Sequence, residues 1–260
     1  MCANPVLTRK FVGNVPMSDV EWQTRVDLAA CYRLFAHYGM DDLVTTHISA
    51  RLPGKDEHFL LNPYGMLFSE VTASALLKID IEGNLLQESE YEVNIPGFVI
   101  HSAVHKARHD VACVLHTHTV AGIAIATIEE GLQPWFQKAT RFHGRLSYHD
   151  YEGRSDDMDE QERLVRDLGS NDYMILRNHG LLVCARDIAS GFKNMYQMEK
   201  SCQAQLAIMQ SGGTVIKIPG AVLDHAAQQV VPSSTGSSKR PTGWESLKKM
   251  LNRVNPGYDM

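Results

Sequence analysis

The sequence predicts one α/β domain with a short C-terminal extension. Three observations lead there. Helical-period segments alternate with short β-type runs along one continuous body. No internal repeat divides the chain. The stretch with linker composition, residues 232–243, is rich in Ser, Gly and Pro and comes near the end. The expected division is an arm over 1–17, a main domain over 18–231, and a linker and tail over 232–260.

A chain of 260 residues can bury a substantial core. Its 44% hydrophobic and 21% charged residues are ordinary for a soluble protein. The net charge of −5 leaves no basic footprint for nucleic acid or an anionic membrane. The longest apolar stretch, Val120 to Ile128, falls far short of the roughly 20 residues of a membrane span. No apolar core suited to a signal peptide stands at the N-terminus. The five cysteines are odd in number and contain no C-x-x-C, which points to a reducing, cytoplasmic setting with buried thiols.

The elements follow in order. Residues 1–17 carry Pro5, Gly13 and Pro16 without periodicity. Ser18 and Glu21 form a capping-box pattern for a helix that runs to about Tyr38, with Gly39 placed to end it. Val44–Leu52 and Phe59–Leu61 read as strands broken by Pro53-Gly54, and Asn62-Pro63-Tyr64-Gly65 as a turn. Leu76–Asp80 and Leu85–Leu86 flank a hairpin turn. Pro96-Gly97 precedes a helix from Phe98 to Arg108, and Val111–Thr117 is a strand. Ala121 to about Gly131 reads as helical, although Ile123 and Ile125 also fit a strand, and Asp156–Leu168 is expected to be helical. Tyr173–Arg177 and Leu181–Cys184 are strands joined by Asn178-His179-Gly180. Asp187 caps a helix to about Gln210, and Trp244–Val254 forms a small terminal one.

Chemistry concentrates at Val114-Leu115-His116-Thr117-His118. Residues i and i+2 of a strand point to one side, so both imidazoles face one place. Such a pair on a rigid strand end is half of a site for zinc, iron, copper or nickel, unless it is a chance pair. His179 is the candidate third ligand, since a turn can aim a side chain into a site. The alternative is that His179 only fills a turn position. His101 and His105 share a helix face at i and i+4, but the Glu of H-E-x-x-H is missing, so they read as packing or hydrogen-bonding residues. No G-x-S-x-G, P-loop or G-x-G-x-x-G occurs.

The order of these pieces resembles the class II aldolase/adducin family, which includes L-fuculose-1-phosphate aldolase and L-ribulose-5-phosphate 4-epimerase. The resemblance covers about residues 22–212. It is carried by Val114–His118, Arg177-Asn178-His179-Gly180-Leu181, Thr46-His47-Ile48-Ser49-Ala50-Arg51 and the turn at Asn62–Gly65. It implies a three-layer αβα fold around a central, mostly antiparallel sheet. It also implies a divalent metal, zinc first and manganese or iron next, held by His116, His118 and His179. A homotetramer with sites between subunits is implied as well.

Three departures separate this chain from the sugar-phosphate aldolases. Their metal-binding, proton-transferring Glu falls at Gly97, which can do neither. Their phosphate-holding Gly-Asn-Ile-Ser is Thr46-His47-Ile48-Ser49 here, and the small residue of their Pro-Ser/Thr-Gly turn is Tyr64. The metal ligands are kept while the phosphosugar residues change. A three-histidine site can chelate a hydroxy, keto or ortho-hydroxy carboxylate and stabilise an enolate. Decarboxylation needs no base to start it, whereas retro-aldol cleavage does. The expected activity is therefore a metal-dependent lyase, with decarboxylation favoured over aldol cleavage. Arg141 or His47 is expected to hold a substrate carboxylate, the alternative for Arg141 being a surface or interface ion pair, with Tyr64 and Gly97 also facing substrate. A non-haem iron oxygenase and a non-catalytic, adducin-like scaffold are the alternatives.

Overall fold

A computed structural model describes residues 11–12, 15–54, 57–93, 95–153, 160–229 and 243–260. The elements run β1 (Phe11–Val12), β2 (Val15–Pro16), α1 (Asp19–His37), β3 (His47–Arg51), β4 (Phe59–Leu61), β5 (Leu77–Ile79), α2 (Ile95–Ala107), β6 (Cys113–Thr117) and α3 (Val120–Thr127). A 3-10 turn (Ala139–Phe142), β7 (Leu146–His149), α4 (Glu160–Leu168), β8 (Tyr173–Leu176), β9 (Gly180–Ala185), α5 (Ile188–Gln210), α6 (Gly220–Gln229) and α7 (Gly243–Val254) follow.

Seven strands form one sheet in the order β5-β4-β3-β6-β9-β8-β7. Every neighbouring pair is antiparallel except β7–β8. The central strands are buried throughout, so their residues divide by alternation between two apolar layers. Cys113, Leu115, Ile175, Leu181 and Val183 face a core shared with α1, α3 and α5. Val114, Met174, Leu182 and Cys184 face Ile100 and Val104 of α2 and Leu164 and Leu168 of α4. The result is the expected αβα sandwich with a mostly antiparallel sheet.

Local chemistry sets the ends of α1. Ser18 Oγ accepts from Glu21 N at 3.1 Å, which satisfies one of the free donors of the first turn. At the other end Gly39 takes φ +64°, and Met40 N donates to Phe35 O at 2.9 Å in a Schellman closure. That sharp stop sends the chain into the turn at Asp42–Thr45 and then into β3.

Several expectations shift. The helix α2 starts at Ile95, not Phe98, so Pro96 lies in the first turn, where its missing N–H has no intrahelical partner to lose. The β3 strand starts at His47 because Thr45 N and Oγ1 both turn back onto Asp42 O. The helix α3 ends at Thr127, and the expected hairpin partner of β5 is only a bridge from Ile79 to Leu85. The helix α6 was not expected. Residues 232–242 lie outside the described ones, but α7 is not a trailing tail. Leu251 and Tyr258 are buried in the α1 core, and Trp244 and Lys248 both reach Asp27 Oδ1 at 3.0 Å. The 3–4 spacing of Trp244, Leu247 and Leu251 is the stripe that docks.

Candidate metal centre

Three chain segments meet at one edge of the sheet: the end of β6, the start of β3 and the β8–β9 turn. His116 lies on β6, directly opposite His47 of β3 and Leu182 of β9, and faces the α2 layer. His118 lies one residue beyond the strand. The next residue, Thr119, caps α3 by accepting from Gly122 N at 3.2 Å, and its hydroxyl donates to Glu199. This cap turns the chain immediately after His118.

His179 is delivered by a tight turn. Asn178 adopts φ +56°, a region that Asn tolerates better than most residues. Gly180 is needed for another reason. A Cβ there would lie 2.2 Å from Thr117 O and 3.3 Å from the His118 ring. The absence of a side chain lets β9 approach the end of β6 and sets the three histidines together.

The geometry is convergent. His116 Nε2 lies 2.7 Å from His118 Nε2, which lies 2.9 Å from His179 Nε2. One ligand atom from each histidine falls within 4.8 Å of the others. The opposite nitrogens say which tautomers are present. His116 Nδ1 donates to Leu181 O at 2.9 Å, so Nε2 carries a bare lone pair. His118 Nδ1 faces Asp42 Oδ2 at 3.4 Å, the carboxylate–histidine arrangement that orients metal-bound imidazoles. Thr45 Oγ1 holds that carboxylate at 2.8 Å. Two bare lone pairs aimed at each other repel unless a cation lies between them. The donor set therefore fits a divalent metal.

Burial favours the ligating, neutral forms. It pushes His116 well below the usual imidazole range, helped by His179, His118 and His47. His118 is lowered by burial against the opposing pull of Asp42. His179 is pushed down to about 4 by burial, with His118 adding to it.

A cavity of about 380 Å³ opens over the cluster, lined by Asp42, Thr45, His47, Ile100, Ile123 and Tyr151 among others. Of the expected substrate-facing residues whose surroundings are described, His47, Tyr64 and Arg141, only His47 is among those that line it. Tyr64 is 54% exposed in the turn after β4, and Arg141 stands on the 3-10 turn before β7. Gly97 lies in the first turn of α2, and its surroundings are outside the described residues. Asp42, Thr45 and Tyr151 had no signal in the sequence, because their loops reach the site only through the fold.

The comparisons agree with this architecture. The model of the class II aldolase and adducin N-terminal domain matches residues 26–206. A Pseudomonas aeruginosa protein named for aldolase class 2 is 48% identical over 93% of this chain and 94% of its own length. A crystal structure of an aldolase II superfamily protein from Pseudomonas syringae superposes with TM-score 0.86 at 42% identity, over 94% of this chain and 98% of that one. L-fuculose 1-phosphate aldolase from Glaciozyma antarctica superposes with TM-score 0.77 at 26% identity, over 92% and 94% of the two chains. By sequence and by fold, the chain belongs to the class II aldolase and adducin family.

Proposed function

We propose that this protein is a divalent-metal-dependent lyase acting on a small carboxylated or hydroxy-carbonyl substrate, with decarboxylation favoured over aldol cleavage. The observation that carries the reading is the convergence of three Nε2 atoms under an open cavity. His116, His118 and His179 would hold the ion. Zinc suits three neutral imidazoles best, with manganese or iron next. When bound there, a divalent ion supplies Lewis-acid stabilisation of negative charge developing on a substrate oxygen.

The chain's own residues do the rest. Ile100 and Ile123 give the cavity apolar walls, which strengthen polar contacts inside it. His47, buried and held neutral, meets the substrate beside the metal ligands. The chain has Gly97 where its aldolase relatives are expected to hold a glutamate. Retro-aldol cleavage needs a base for the hydroxyl proton, and decarboxylation does not. That difference supports the decarboxylase form. A cytoplasmic homotetramer is the assembly we propose, in line with the family resemblance.

The test loads the purified protein with zinc, manganese or iron(II) and offers hydroxy, keto and ortho-hydroxy carboxylates under argon. Carbon dioxide release that stops with His116→Ala supports the lyase. Turnover that requires oxygen and iron(II) would replace it with an oxygenase. A protein that binds no divalent ion under any loading condition would move the reading to an adducin-like scaffold.

A further inference from the structure

A second cavity, of about 540 Å³, adjoins the one over the candidate metal centre, and Tyr151 and Asn178 line both. Arg177 lines the second cavity, with Asp150 and Glu129 among the other residues there. Arg177 and the candidate ligand His179 flank Asn178 in the chain, so their Cα atoms stand no more than about 7.6 Å apart.

The guanidinium of Arg177 is held before any ligand arrives. Its Nη1 donates to Ile128 O, just past the end of α3, at 2.8 Å. Its flat face lies over the Tyr148 ring of β7, 4.2 Å from the ring centre. The backbone is fixed as well: Arg177 N donates to His149 O at 2.8 Å, and Asn178 N to Ala126 O at 3.1 Å. A guanidinium carries five N–H donors in a planar fork. Among the described residues, Arg177 makes that one side-chain hydrogen bond and no ion pair. Its Nε and Nη2 are left without a partner yet open to solvent, unlike Arg141 Nε, which is buried. That free edge matches a carboxylate bidentately. Asp150 and Glu129 oppose an anion in this cavity. Both are exposed, so water and salt screen them, whereas a ligand carboxylate meets the guanidinium at hydrogen-bond distance. Contact outweighs screened charge at longer range.

We infer that Arg177 anchors the distal carboxylate of a substrate whose other end is chelated at the metal centre. The substrate class is then an extended dicarboxylate, its middle passing over Tyr151 and Asn178. The inference deepens the lyase reading and rests on it. A guanidinium already fixed by stacking and by a backbone carbonyl loses little freedom on binding, which favours affinity. Arg177 takes the place that the sequence offered to Arg141.

The test is isothermal titration of the zinc-loaded protein with pairs of 2-oxo acids of equal carbon count. One member of each pair has a distal carboxylate and the other does not: 2-oxoglutarate against 2-oxopentanoate, 2-oxoadipate against 2-oxohexanoate, and 2-oxopimelate against 2-oxoheptanoate. Each pair shares the chelating end, so the ratio of affinities reports the distal group. At least one diacid should bind about tenfold more tightly than its monoacid, the worth of one hydrogen bond to a charged group. In Arg177→Gln that ratio should fall to near one, whatever the substitution does to the chelating end. Arg177→Lys keeps the charge but not the fork and should give an intermediate ratio; it serves where Arg177→Gln does not fold. A ratio near one for all three pairs in the wild type overturns the inference without any variant. An undiminished ratio in the folded Arg177 variants overturns it too. Failure of the lyase reading looks different: zinc, or every 2-oxo acid alike, does not bind, and the inference falls with its support.

Discussion

Replacing Gly180 with alanine tests whether close approach of two backbones assembles the metal centre. The new Cβ would lie 2.2 Å from Thr117 O, a backbone atom that cannot rotate away. Restoring ordinary contact requires a shift of at least about 1 Å between β9 and the end of β6. Three things depend on that contact. Thr117 and Leu181 are ladder partners, Leu181 O holds His116 Nδ1 at 2.9 Å, and His179 is the residue next to Gly180. Losing the bond that orients one ligand costs roughly 10- to 100-fold in metal affinity. Overpacking a close-fitted core costs about 1–3 kcal/mol of stability. For a chain of this size each kcal/mol lowers the Tm by about 2–4 °C. Zinc affinity would be read by competition with a chromophoric chelator and Tm by calorimetry. Gly213→Ala is the control, since its nearest neighbour is the flexible Ser211 Oγ at 3.4 Å. A folded Gly180→Ala protein with zinc affinity within twofold of wild type would refute the reasoning.

Three further outcomes are expected. Asp42→Asn removes the charge facing His118 Nδ1 at 3.4 Å, and because that carboxylate is 47% exposed the loss of zinc affinity should lie near tenfold; isothermal titration showing no change would remove Asp42 from the site. Leu251→Ala empties a fully buried position on α7 and should cost about 2–5 kcal/mol in urea denaturation, whereas a loss under about 0.5 kcal/mol would mean that α7 does not belong to the core. For pH, His105 titrates near 3 when folded and near 6.5 when unfolded, so the unfolded chain binds the extra proton between those values. Stability from this group is complete above pH 6.5 and falls on acidification, by at most about 1.4 kcal/mol per pH unit. His105→Gln should flatten the stability slope between pH 6 and 4.5, and equal slopes in mutant and wild type would contradict the burial argument.

Much of the fold was legible because its signals are local. Ser18 with Glu21, Gly39, and Asp187, whose carboxylate accepts from Ser190 N at 2.7 Å, each closes a helix end through its own side chain or conformation. The His-x-His pair was legible through period 2, although β6 ends at Thr117. His118 still joins His116 because the backbone stays extended until Thr119, at φ −62° and ψ 147°. The docking of α7 was not legible. Its apolar stripe says that it needs a partner, but not that Asp27 of α1 lies where Trp244 and Lys248 can reach it.

His101 and His105 were legible in the sequence only in part. Their i, i+4 spacing puts both rings on one helix face, and the missing glutamate argues against a zincin. Neither fact says what the rings touch. That depends on β3 lying between β4 and β6, in a register that sets His47 opposite His116 and Ser49 opposite Val114. A slip of one residue would turn His47 and Ser49 to the other face of the sheet. They would then meet the apolar core under α1 and α5, where Ile48 and Ala50 now sit. The same register that puts His47 beside the metal ligands therefore also places Ser49 within reach of α2. The cavity-lining His47 and the hydrogen-bonded line behind it, through His101 and Ser49 to His105, are one consequence of strand pairing, and a change that breaks one through the backbone must break both.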